Sequence, residues 1–131
     1  MNDSEHARHP TDPRLSGVYG TILHEDVAGD RLHQRNVTVF ADGEVDRSPC
    51  GSGTCARLAV LAEDGRVSPG GPTLEHESIV GSRFTGAVLA RTTVAGRSAV
   101  VPQVTGLAHR TGEHTFVVDD ADPLVPGFVL R

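Results

Sequence analysis

The chain has 131 residues, 37% hydrophobic and 22% charged, enough for one domain with a modest core and not comfortably for two. All 12 basic residues are arginine, which excludes a pyridoxal-phosphate Schiff base, a P-loop lysine and any lysine nucleophile. A net charge of −5 with scattered arginines argues against nucleic acid or an anionic membrane as partner, and no apolar run reaches the roughly 18 residues of a transmembrane span.

Residues 1–14 are polar and read as a tail or linker, without the character of a signal peptide. Two cysteines in that context are expected as free thiols in a reducing cytoplasm. Residues 15–131 read as one unit. A first strand is predicted over 18–23, then a polar loop over 24–35 around Gly29. Residues 36–40 alternate polar and apolar, the period of a half-buried strand, and Asp42-Gly43 supplies a turn.

The helix signal spans 54–63, opened by Gly51-Ser52-Gly53 and closed by Gly65. It is apolar nearly all round, which predicts a central helix covered by sheet. After a loop at 68–72, strands are predicted over 73–80, 84–94, 98–104 and 114–118, with turns at Gly96 and Thr111-Gly112. A Pro-bounded loop then leads to a short terminal strand within 127–131. The fold class is α+β: a curled, mostly antiparallel sheet around one buried helix, its core built from Val, Leu, Ile and Ala.

Residues 46–54, Asp-Arg-Ser-Pro-Cys-Gly-Ser-Gly-Thr, carry the chemistry. Orphan amides at a helix start, with the helix dipole, suit an anion such as a carboxylate, and the same dipole favours a thiolate at Cys50. A base beside a bound carboxylate reaches the hydrogen on its α-carbon. The charge that builds on the carboxylate oxygens then falls among amide donors. Asp46 offers a fixed negative charge to a substrate ammonium. The inferred substrate is a small amino acid. The same residues also fit a plainer reading, with Cys50 a small buried side chain, Asp46 a turn cap and Phe40 a core residue.

This segment closely resembles the proline racemase family of proline racemases, 4-hydroxyproline epimerases and trans-3-hydroxyproline dehydratases. The likeness also runs through His9-Pro10, Gly20-Thr21-Ile22, residues 36–41, residues 78–86, Gly106-Leu107-Ala108, Asp122-Pro123 and Gly127-Phe128. The resemblance implies one lobe of a diaminopimelate epimerase-like fold and proton transfer at the α-carbon of proline or hydroxyproline without a cofactor. Cys50 is then one of two opposed acid/base thiols, with Gly51 and Ser52 holding the substrate carboxylate. Asp46 contacts the ring nitrogen and Phe40 lines the pyrrolidine pocket. Members of the family are more than twice this length, and the lobe with a Met-Cys-Gly-His motif has no counterpart here. Cys at position 50 favours racemase or epimerase over dehydratase, where Thr is frequent; a non-catalytic carboxylate-binding remnant is the other alternative. The partners implied are a small-molecule substrate and either a second copy of the chain or a separate first lobe, to which the 127–131 strand would belong.

Other constellations are weaker. Seven histidines and two cysteines show no paired ligand spacing, so no metal is expected. A Cys50–Cys55 disulfide would strain a helix start, and Cys55 reads as core packing. Arg47 either pairs with an acid or supports the loop.

Overall fold

The computed structural model describes residues 4–125 and Gly127. Five strands and one helix follow two short 3₁₀ turns at Glu5–Ala7 and Pro13–Leu15: β1 (Gly20–Asp26), β2 (His33–Phe40), α1 (Gly51–Glu63), β3 (Leu74–Ser78), β4 (Arg83–Val94) and β5 (Arg97–Thr105). They form a single sheet in the order β1-β2-β3-β4-β5. All neighbours are antiparallel except β2 and β3, whose parallel pairing requires a crossover, and α1 is that crossover.

The helix packs chiefly against β4 and β5. Leu58, Leu61 and Ala62 of α1 close with Val67, Leu74 and Val88 into the core. A register shift between Val88 and Ala90 marks a bulge, which bends β4. Pro102 is tolerated in β5 because that strand lies at the sheet edge. On β2, β3 and β4, the buried carboxylate of Glu77 gathers His33, Arg35 and Arg83 at 3.0–3.1 Å. Burial alone would raise that carboxyl, but Arg35, then Arg83 and His33, hold it below the usual range.

Four expectations need correction. First, the polar stretch 24–35 is mostly strand, because cross-strand polar pairs replace apolar ones: Arg35 meets Glu25 at 3.6 Å, and Gln34 reaches Asp26 across the β1–β2 ladder. Only residues 27–32 connect the strands. Second, in β2 the fully buried side is Gln34, Asn36 and Thr38, while Val37 and Val39 are half-buried. Third, α1 is not covered all round. Thr54, Leu58, Leu61 and Ala62 are buried, whereas Ala56, Ala59 and Val60 are exposed, because β4 and β5 cover only one side. Fourth, residues 106–118 form no strand or hairpin. Phe116 and Val117 are almost fully exposed and find no sheet edge to pair with among the described residues. Residues 128–131, with most of the predicted terminal strand, lie outside the described residues.

Candidate active site

The helix begins at Gly51, three residues earlier than the apolar pattern predicts, because Cys50 itself serves as its N-cap. Its Sγ accepts from the N–H of Gly53 at 3.4 Å and lies 3.6 Å from Ser52 Oγ. Cys50 carries a φ of +67°, a region a side chain with a Cβ rarely enters. A Cβ at Gly53 would press against Ile22 Cδ1 and lie 3.3 Å from Cys50 Sγ, so a larger residue there would push the end of the Ile22 side chain aside. The N–H groups of Gly51 and Ser52 have no partner among the described residues, as expected in a first helical turn.

The turn before the helix is fastened at every step. Asp46 N–H donates to Thr38 O, and Asp46 Oδ1 accepts from Ser48 N–H at 2.8 Å. Ser48 Oγ accepts from Cys50 N–H at 3.0 Å. Ser82 Oγ, from the β3–β4 turn, donates to Arg47 O at 2.6 Å. Arg47 thus supports the loop through its backbone.

A cavity of about 390 Å³ opens between β1, β2 and the uncovered side of α1. Phe40, Cys50 and Ser52 line it, so three of the five predicted site residues meet at one cavity. Gly51 sits beside them at the helix mouth. Asp46 does not line the cavity, and one of its oxygens caps the turn. Sequence reasoning missed four other lining residues, Tyr19, His24, Arg57 and His76. Tyr19 Oη lies 3.0 Å from Ser52 Oγ. Arg57, visible in the sequence only as a break in an apolar helix, donates to Gln34 Oε1 at 2.8 Å. Both cysteines are free; Cys55 is half-buried, outside the core cluster and the cavity wall. Among the described residues no three His, Cys, Asp or Glu side chains converge as a metal site.

Beneath the turn, His76 is fully buried, and its pKa is pushed down to about 4, first by burial and then by the nearby charges of His24 and Arg57. The unfolded chain therefore binds a proton at this site that the folded chain refuses, and stability is lost as pH falls from about 6.5 toward 4. Unfolding in urea is expected to show the protein about 2 kcal/mol less stable at pH 5 than at pH 7 from this group. A His76→Gln variant should flatten that slope.

A mixed sheet carrying one crossover helix, with a thiol capping that helix at a cavity mouth, makes this an α+β lobe. The chain belongs to the proline racemase family, whose sequence model, described as proline racemase, matches residues 1–129. It is 49% identical over 123 residues to a 3-hydroxyproline 2-epimerase of Burkholderia multivorans, covering 94% of this chain and 36% of that protein. A trans-3-hydroxy-L-proline dehydratase of Bacillus thuringiensis matches at 49% with the same coverage. A proline racemase of Clostridioides difficile matches at 39% over the full 131 residues and 39% of its own length. Among solved structures, a hydroxyproline epimerase from Agrobacterium vitis with bound trans-4-hydroxy-L-proline superposes with a TM-score of 0.76 at 44% identity, covering 94% of this chain and 35% of that one. The chain therefore spans little more than a third of the length of these relatives. Among the described residues, no helix is long and apolar enough to cross a membrane.

Proposed function

We propose that this chain supplies one acid/base thiol, Cys50, to cofactor-independent proton transfer at the α-carbon of proline or hydroxyproline. The observation that carries the reading is that Cys50 lines the cavity beside the N–H groups of Gly51 and Ser52, which have no partner among the described residues. A substrate carboxylate docked on those amides brings its α-carbon toward the sulfur. The thiolate takes the α-proton, the C–H electron pair spreads onto the carboxylate, and the helix-end donors stabilise it. Phe40 forms an apolar wall for the ring, and Asp46 Oδ2, which has no partner among the described residues, serves the ring nitrogen once substrate reaches the edge of the turn.

A single thiol returns a proton to the face it came from, so it exchanges the α-hydrogen with solvent but retains configuration. Inversion needs a second donor on the opposite face. That donor comes from a second copy or from a polypeptide carrying the remaining length of the family. The exposed apolar groups Tyr19, Val60, Phe116 and Val117 favour such association. Sedimentation of the purified chain is expected to show oligomers at micromolar concentration; a clean monomer would count against this part of the reading.

The assay is α-proton exchange of L-proline and trans-4-hydroxy-L-proline in deuterated water, followed by proton NMR. It is run with and without the complementary family polypeptide, comparing the natural chain with Cys50→Ala. The dehydratase relatives support a second reading, in which removal of the α-proton from trans-3-hydroxy-L-proline is followed by cleavage of the C3–O bond and departure of water. Release of an unsaturated product from that substrate, with no exchange of L-proline, would select it.

A further inference from the structure

We infer that His76, with Asn36 and Thr54, is a positioning set that holds the Cys50 turn in its strained conformation and so aims the sulfur at the cavity. The inference rests on the reading of Cys50 as the acid/base group.

The argument starts from the backbone. A φ of +67° at a non-glycine residue persists only where its surroundings over-determine it. The two carbonyls flanking that residue are both held from below. Asn36 Nδ2 donates to Pro49 O at 2.8 Å, and Thr54 Oγ1 donates to Cys50 O at 2.7 Å. A carbonyl only accepts, so the Thr54 hydroxyl hydrogen is committed, and its oxygen must accept from His76 Nδ1 at 2.9 Å. That places the single ring hydrogen on Nδ1. Nε2 is then bare, and it accepts the second hydrogen of Asn36 Nδ2 at 2.8 Å.

One proton assignment therefore satisfies the ring, the hydroxyl and both amide hydrogens at once. It requires a neutral imidazole, in keeping with the fully buried site. The cost is visible: Asn36 Oδ1 is buried without a partner among the described residues. Turning the amide over would set that oxygen against Pro49 O. The three residues come from β2, α1 and β3, so the turn is clamped by the parallel pair of strands and its crossover helix together.

The test reads the geometry of the thiol and needs no turnover. Cys50 is alkylated with iodoacetate, a small carboxylate, and with neutral iodoacetamide; peptide mass spectrometry separates it from Cys55. In the natural chain the unpartnered amides should draw the carboxylate reagent to the sulfur. His76→Leu and Thr54→Val are expected to lower the iodoacetate-to-iodoacetamide rate ratio about two- to fivefold, the range a helix terminus exerts on an anion. His76→Gln should restore the ratio, since its amide N–H and carbonyl span the same distance as the two ring nitrogens. A general loosening of the fold would change both rates alike and leave the ratio standing. An unchanged ratio in folded His76→Leu and Thr54→Val overturns the inference. If His76→Leu does not fold, Thr54→Val against Thr54→Ser decides it. Failure of the proton-transfer reading would show separately, as exchange indifferent to Cys50→Ala.

Discussion

Cys50→Ala is expected to lower α-proton exchange of L-proline by roughly a hundredfold to ten-thousandfold, the contribution of a positioned general acid/base. Removal of a hydrogen from a carbon next to a carboxylate is difficult because the developing charge has no good home in water. In the proposed reaction that home is the mouth of α1, where the N–H groups of Gly51 and Ser52 have no partner among the described residues, and Cys50 lines the same cavity. Alanine deletes the proposed base and should leave the amides and the cavity in place, so binding should suffer far less than turnover. Cys50→Ser should fare nearly as badly, since an alcohol holds its proton too firmly at neutral pH. Cys55→Ala, one turn into the helix and off the cavity wall, should leave exchange unaltered. Deuterium incorporation by NMR reads all three. Equal rates in the natural and Cys50→Ala chains would remove the sulfur from the chemistry.

The second large effect is on stability. Leu58→Ala is expected to cost about 3 kcal/mol, because the side chain is fully buried at the contact between α1 and β4. Its neighbour across the gap is Gly86. A Cβ built there would lie 3.0 Å from Leu58 Cδ1 and 3.3 Å from Cδ2. Glycine at 86 is thus the space into which Leu58 fits, and Gly86→Ala alone should destabilise by about 1–2 kcal/mol through overpacking. In the double variant the new methyl enters the space vacated by leucine. Its loss should be clearly smaller than the sum of the two single losses. Urea unfolding followed by circular dichroism gives all four corners of the cycle. Strict additivity would mean that the two side chains do not share that space.

Much of this was legible in the chain. The alternation at 36–40, the turn at Gly96 and the break at Gly65 place strands, hairpin and helix end from local chemistry alone. The Gly-Ser-Gly segment after Cys50 announces a helix mouth with free amides. What resisted reading was burial. Asn36 and Thr38 are polar, yet they face inward, because the floor of the site needs donors for the carbonyl of Pro49 and a wall for the cavity. His76 looked like one of several unpaired histidines until β3 aligned beside β2. The strand predicted at 114–118 has the right composition, but a strand also needs an edge to join, and composition does not supply one.

The sequence by itself determined the local facts: which segments favour strand or helix, where the helix opens, and which thiol stands at its start. Only the tertiary structure decided that α1 would be covered on one side and open on the other, and that Asn36, Thr54 and His76 would meet beneath Cys50. The division has a physical cause. Propensity and capping act over a few residues, whereas burial and the sharing of hydrogens depend on partners that lie dozens of residues apart until the parallel pairing of β2 and β3 brings them together.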